Sequence, residues 1–194
     1  MNAVEHIVEC YFRICRHCFT MHDVKVEHGN KRQFDLLAVS LVGESEQYHV
    51  ESSVMHERHW CPTVEELLGG FERKFFGVPR GREESQASGR QGRTYQREIL
   101  AAYRKVGLDP AKIQRVFCCW IPPSEPDLDE RLQNYCGSRG IRRIQVRSFR
   151  DQVVPGLENA VATANYDDEV LRALSLLKQR DAQGPHRAGG RSGG

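Results

Sequence analysis

The chain has 194 residues, 39% of them hydrophobic and 28% charged, with a formal net charge of +2. That length suits one domain with a proper core, and so small a net charge decides nothing about partners. No apolar run approaches the ~20 residues of a membrane span. The opening MNAVEHIVECYF carries early acids where a secretory signal has a basic flank, so no membrane association or export is expected. The seven cysteines are odd in number and irregular in spacing, which reads as reduced thiols in a cytoplasmic protein.

In chain order, Val4, Ile7, Val8, Tyr11, Phe12, Ile14 and Cys15 recur at helical intervals and predict a helix over 3–19, with Glu5 bordering its buried face. FTMHDVKVE alternates as a strand does, and HGN marks a turn. Residues 31–54, KRQFDLLAVSLVGESEQYHVESSV, read as two strands joined by a polar turn, with Asp35 on the first and Glu51 on the second. Pro62 and Thr63, followed by Glu65 and Glu66, open a helix that ends near Gly77. Residues 79–93 hold no apolar side chain larger than alanine and predict a mobile basic loop. A helix stopped at Gly107 follows, then RVFCCWI as a strand buried on both faces. The remainder predicts a helix over 127–139, a strand at IRRIQVRSF, a helical stretch over 149–162 broken or restarted at Pro155 and Gly156, and a last helix over 167–178. The domain is expected to span 1–180, with 181–194 a disordered Gly/Arg-rich tail. This order of elements implies a mixed sheet with helices on both faces.

Strands that tend to be buried rarely carry a carboxylate without a partner. Paired strands lie about 4.8 Å apart, so Asp35 and Glu51 could converge on one divalent cation. The spacing is equally compatible with Asp35 opening a turn and Glu51 at a solvated alternate position. Around the pair, residues 72–105 hold nine Lys/Arg against four Glu, a local +5 that includes Arg73, Lys74, Arg80, Arg82, Arg90 and Arg93. Arg142, Arg143, Arg147 and Arg150 form a second cluster. Such Arg-rich stretches suit a phosphate backbone, although charged loops often serve only solvation.

Other signals weigh less. Cys15-Arg16-His17-Cys18 is a CxxC without a second half, so Cys10, Cys15 and Cys18 read as small core residues of the first helix. His49, His56, His59 and Cys61 read as polar residues at a strand end, and Cys118 and Cys119 as inert thiols in a buried strand. Ser52 and Ser53 have no nucleophile elbow around them, and the chain has no phosphate-binding or dinucleotide-binding glycine loop.

A first helix with Glu5, a hairpin with Asp35 in QFDLLAV, then Glu51 in HVESSV, followed by a helix and further strands, resembles the restriction-endonuclease-like, or PD-(D/E)XK, nuclease superfamily. The resemblance covers about residues 3–150. Phe34 stands where the motif has proline, and Ser53 where it has lysine. It implies an α/β fold, a restriction-endonuclease-like mixed β-sheet flanked by helices. It also implies Mg²⁺ (or Mn²⁺) held by Glu5, Asp35 and Glu51, with phosphodiester hydrolysis on nucleic acid, DNA foremost, as homodimer or with a partner subunit. Nucleic-acid contacts are expected at Arg73, Arg80, Arg82, Arg90 and Arg93. A serine can hydrogen-bond a water but lacks the lysine's charge. Lys74 is the candidate for a relocated lysine, with Lys25 and Lys31 as others; its ordinary reading is a solvated helix residue. The alternative function is a catalytically inactive nuclease fold serving as a nucleic-acid-binding or regulatory module. A third reading, an interaction protein, uses neither metal nor nucleic acid.

Overall fold

Strand side chains alternate between two faces, so a sheet with apolar residues on both must be covered twice. A computed structural model describes residues 2–27, 32–43, 45–54, 61–78, 94–161 and 167–183. The elements are α1 (Ala3–Cys15), β1 (Cys18–Lys25), β2 (Gln33–Ser40), β3 (Gln47–Ser53), α2 (Val64–Phe75), α3 (Gln96–Lys105), β4 (Ile113–Cys119), α4 (Leu128–Ser138), β5 (Ile144–Ser148), a π-helical turn (Phe149–Val153), α5 (Val154–Val161) and α6 (Glu169–Gln183). The expected turn at HGN, the loop over 79–93 and the end of the tail lie outside the described residues.

The five strands pair in sequence order. β1–β2 and β2–β3 are antiparallel, whereas β3–β4 and β4–β5 are parallel, which makes a mixed sheet. Parallel pairs require crossovers, and α2, α3 and α4 supply them on one face. There Leu67, Phe71 and Phe75 of α2 and Cys136 of α4 pack with Phe117 and Cys119, while Ile99 and Tyr103 of α3 pack with Leu37. The opposite face meets α1, α5 and α6: Val8, Cys10 and Phe12, then Leu157 and Val161, then Leu171, against Leu36, Ala38, Tyr48, Val50, Val116 and Cys118. The result is an α/β fold with helices around a mixed sheet.

Three local details differ from the sequence expectation. The first helix ends at Cys15, not at residue 19, because His17 takes a positive φ of 51° and turns the chain into β1. The CxxC therefore straddles a helix end and a strand start, with Cys18 at the head of β1. The stretch over 149–161 does not break at Pro155: the π-helical turn passes directly into α5 at Val154, one residue earlier. The last helix runs on to Gln183, into the stretch expected to be tail.

Two glycines set the position of α2. A Cβ on Gly70 would stand 3.2 Å from the Phe117 ring, so glycine there lets the helix settle closely on β4. Gly77 has φ +68° and leaves no room for a side chain against Tyr95, which ends the helix and turns the chain away.

Candidate active site

The register of β2 and β3 pairs Leu36 with Val50, and one step further brings Asp35 across from Glu51. Both side chains point to the face covered by α2 and α3. Asp35 is 9% exposed and lies within β2 rather than opening a turn, and Glu51, 1% exposed, is not at a solvated alternate position. His49, two residues before Glu51 and on the same face, is fully buried rather than a polar strand-end residue.

The two carboxylates are joined by Lys74, one turn after Gly70 on α2. Its Nζ donates to both oxygens of Asp35 at 3.1 Å and lies 2.7 Å from Glu51 Oε2. The side chain is 36% exposed, so its stem is covered while the ammonium keeps an outlet to solvent. Other groups hold the carboxylates from behind. Ser52 donates to Asp35 Oδ2 from its backbone N–H at 2.8 Å and from its hydroxyl at 3.3 Å. His49 Nε2 meets Glu51 Oε1 at 2.7 Å, and His49 Nδ1 meets the Tyr103 hydroxyl at 2.6 Å. A neutral imidazole has one N–H, and an ionised carboxylate only accepts. Nε2 therefore carries the hydrogen toward Glu51, and Nδ1 accepts from Tyr103. Asp35 Oδ1 and Glu51 Oε2 are left with Lys74 as their partner.

Electrostatics follow from this burial. Desolvation, helped by the neighbouring Glu51 charge, pushes the Asp35 carboxyl up to about 6 against the pull of Lys74 and the Ser52 N–H. Glu51 is raised by burial and opposed by Lys74. Burial, with Arg115 second, drives His49 well below its usual value and keeps it neutral. For Lys74, burial works against the charge, but Glu51 and Asp35 outweigh it and raise the pKa. Two carboxylates share one ammonium, so their ionised forms leave a negative charge uncompensated.

Beside Lys74 opens a cavity of about 300 Å³ walled by Arg32, Ser53, Arg73, Lys74 and Phe117. Arg32 donates to the Arg73 carbonyl and sits 5.7 Å from the Tyr95 ring centroid. Its Nε is buried with no hydrogen-bond partner among the described residues. Ser53, at the motif-lysine position, lines the same cavity as Lys74.

Not every expected site residue comes here. Glu5 receives the Asn2 N–H on Oε2 at 2.8 Å and the Asn2 side-chain amide on Oε1 at 2.7 Å, closing a capping box at the head of α1. Moreover, α1 packs on the other face of the sheet from Asp35 and Glu51. Glu5 is thus corrected from candidate metal ligand to helix cap. Arg80, Arg82, Arg90, Arg93, Lys31, His56 and His59 lie outside the described residues. Sequence reasoning missed His49 as a partner of Glu51, and also Tyr103 and Arg32. The first had a signal in the spacing His49-x-Glu51, which puts both on one face of a strand.

Mg²⁺ uses one or two carboxylates and fills its remaining positions with water and phosphate oxygens. Asp35 Oδ1 and Glu51 Oε2 meet that demand: they are hard donors, turned toward one cation already and carrying surplus negative charge. Asp35 and Glu51, without Glu5, therefore fit the group.

No protein-family model matches the chain, and no curated protein matches it. The chain is similar to a solved structure described as "Protein of Unknown Function AF1548", at 16% identity and TM-score 0.40, over 91% of this chain and 79% of that one. Among the described residues no helix is long and apolar enough to cross a membrane.

Proposed function

We propose that this chain is a metal-dependent nuclease that hydrolyses phosphodiester bonds in nucleic acid, with DNA the foremost substrate. The observation that carries the reading is the junction of Asp35 and Glu51 with Lys74, whose side chain lines a cavity together with Arg32 and Arg73. When bound, Mg²⁺ or Mn²⁺ supplies neutralisation of developing phosphate charge and a more acidic water. Asp35 Oδ1 and Glu51 Oε2 would hold it. The hydrogen bond from His49, itself held by Tyr103, fixes the Glu51 carboxylate in one orientation. Lys74 balances the two carboxylates and lines the cavity beside them, where it would offer a scissile phosphate the charge that Ser53 lacks. Arg32, whose Nε has no partner among the described residues, would offer that N–H to a non-bridging phosphate oxygen. The seven free thiols suit a reducing, cytoplasmic setting, and a homodimer or a partner subunit is compatible with this role.

The test is incubation of the full chain with supercoiled plasmid and single-stranded oligonucleotides in Mg²⁺ or Mn²⁺, beside Asp35→Ala and Glu51→Ala. Cleavage by the parent chain and its loss in both variants is the expected result. Cleavage that survives both substitutions would overturn the assignment. Salt-dependent binding without cleavage by the parent would make the protein a silent nuclease fold that binds nucleic acid.

A further inference from the structure

On the opposite face of the sheet, far from the acidic pair in the layering of the fold, three side chains of different chemistry meet. His6 and Cys10 are one turn apart on α1, and Asp168 immediately precedes α6. His6 Nε2 lies 3.0 Å from Asp168 Oδ2, and Cys10 Sγ lies 3.9 Å from each. Zinc bonds of ~2.0–2.3 Å in a tetrahedron separate neighbouring donors by about 3.3–3.6 Å. A shift of a few tenths of an ångström would place all three atoms at that spacing.

The surroundings are those of a built site. Asp168 Oδ1 accepts the N–H groups of Val170 at 2.9 Å and Leu171 at 3.1 Å, which leaves Oδ2 directed at His6 and Cys10. The other ring nitrogen, His6 Nδ1, is buried without a hydrogen bond among the described residues and faces Glu9 Oε2 at 3.5 Å. Glu9 is 7% exposed and is itself held by the Thr20 hydroxyl at 2.9 Å. A carboxylate behind the far nitrogen of a histidine is the arrangement that orients metal-bound imidazoles. Cys10 and Asp168 also line a cavity of about 560 Å³, which leaves a fourth coordination position for water.

The geometry points to a zinc site formed by His6, Cys10 and Asp168, with Glu9 as the positioning residue behind His6. Sulfur and imidazole donors select zinc over magnesium, so this site and the acidic pair would take different metals. Thiolate and carboxylate together balance the 2+ charge of the ion, which suits a partly buried site. On binding, the thiol proton of Cys10 passes to solvent and a zinc–sulfur bond forms. Because the ligands are separated by up to 162 residues, the ion would tie the head of the last helix to the first. The inference is independent of the nuclease reading.

The experiment is a Co²⁺ titration of the full chain, read by thiolate-to-cobalt charge-transfer absorption and followed by displacement with Zn²⁺. One equivalent should produce the band, and Zn²⁺ should remove it and raise the melting temperature. Cys10→Ser should abolish the band, while His6→Ala and Asp168→Asn, at partly exposed positions, keep the fold and lose stoichiometric binding. Glu9→Gln should bind about 10- to 100-fold more weakly. Asp35→Asn, at the other site, should leave the charge-transfer band and its one-equivalent endpoint unchanged. A chain that gives no band, or a band that persists in both His6→Ala and Asp168→Asn, would overturn the site.

Discussion

The two faces of the central sheet are built from the same strands and solve burial in opposite ways. Toward α1, strands β2 and β3 present Leu36, Ala38, Tyr48 and Val50, each at most 2% exposed. Toward α2 and α3 they present Asp35, Leu37, His49 and Glu51, and these too are buried. The first face is held by non-directional apolar area, which tolerates any well-shaped neighbour. The second is held by named partners at 2.6–3.3 Å, each satisfying an atom that would otherwise be costly to bury. A face that spends stability on two adjacent carboxylates is the face where chemistry is expected.

The comparison is broken most sharply by one substitution on each face. Glu51→Gln should lower metal-dependent cleavage by about 10³-fold or more, measured as initial rate on plasmid. Leu36→Ala should cost about 2–5 kcal/mol of stability in urea unfolding while leaving the rate per folded molecule within roughly threefold. Equal loss of activity in both would erase the distinction between the faces.

Lys74→Met comes next, because it leaves two carboxylates without their ammonium. The loss should be roughly 2–4 kcal/mol at about pH 8, below the figure for a wholly buried pair because solvent reaches Lys74. It should shrink as the pH falls and Asp35 takes up a proton. Lys74→Met should also lower cleavage, and adding Ser53→Lys to it should restore part of that activity, since both positions line one cavity. No recovery would mean that Lys74 does not act in place of the motif lysine.

Asp35→Asn should work in the other direction. The folded state binds the Asp35 proton more tightly than the unfolded chain, with the pKa raised from 3.8 to about 6. Stability from this group is therefore full below pH 3.8 and is lost as the pH rises through about 6. That shift corresponds to about 3 kcal/mol. Removing the charge should stabilise the protein by about 1–3 kcal/mol near neutral pH, with the gain vanishing toward pH 4, while cleavage is lost. The smallest effect belongs to Tyr103→Phe, which takes the hydroxyl from His49. It should cost about 1 kcal/mol in unfolding and lower cleavage by less than about tenfold.

Much of this arrangement is legible in the sequence. Helical and alternating periodicities placed the elements in their observed order, and carboxylates inside apolar strands marked Asp35 and Glu51. Lys74 entered only because Ser53 departs from the nuclease pattern, since a lysine on a helix looks solvated from its neighbours alone. Tyr103 lies 54 residues from His49, and no local pattern announces such a contact. Glu5 shows the opposite error. The spacing Asn2-x-x-Glu5 is a capping signature, and local hydrogen bonding at the helix head uses the acid that a family pattern assigns to metal. The end of α1 is hidden for a similar reason, because apolar spacing continues through Cys18 while the helical backbone stops before His17.

In the proposed site Asp35 and Glu51, without Glu5, hold a divalent cation. A Mn²⁺ titration followed by electron paramagnetic resonance tests it directly, on the parent chain and on Asp35→Asn, Glu51→Gln and Glu5→Gln, the last of which retains a capping side chain. A bound ion is expected in the parent and in Glu5→Gln, and not in the other two. Binding that is unchanged in Asp35→Asn and Glu51→Gln, or abolished by Glu5→Gln, would contradict it.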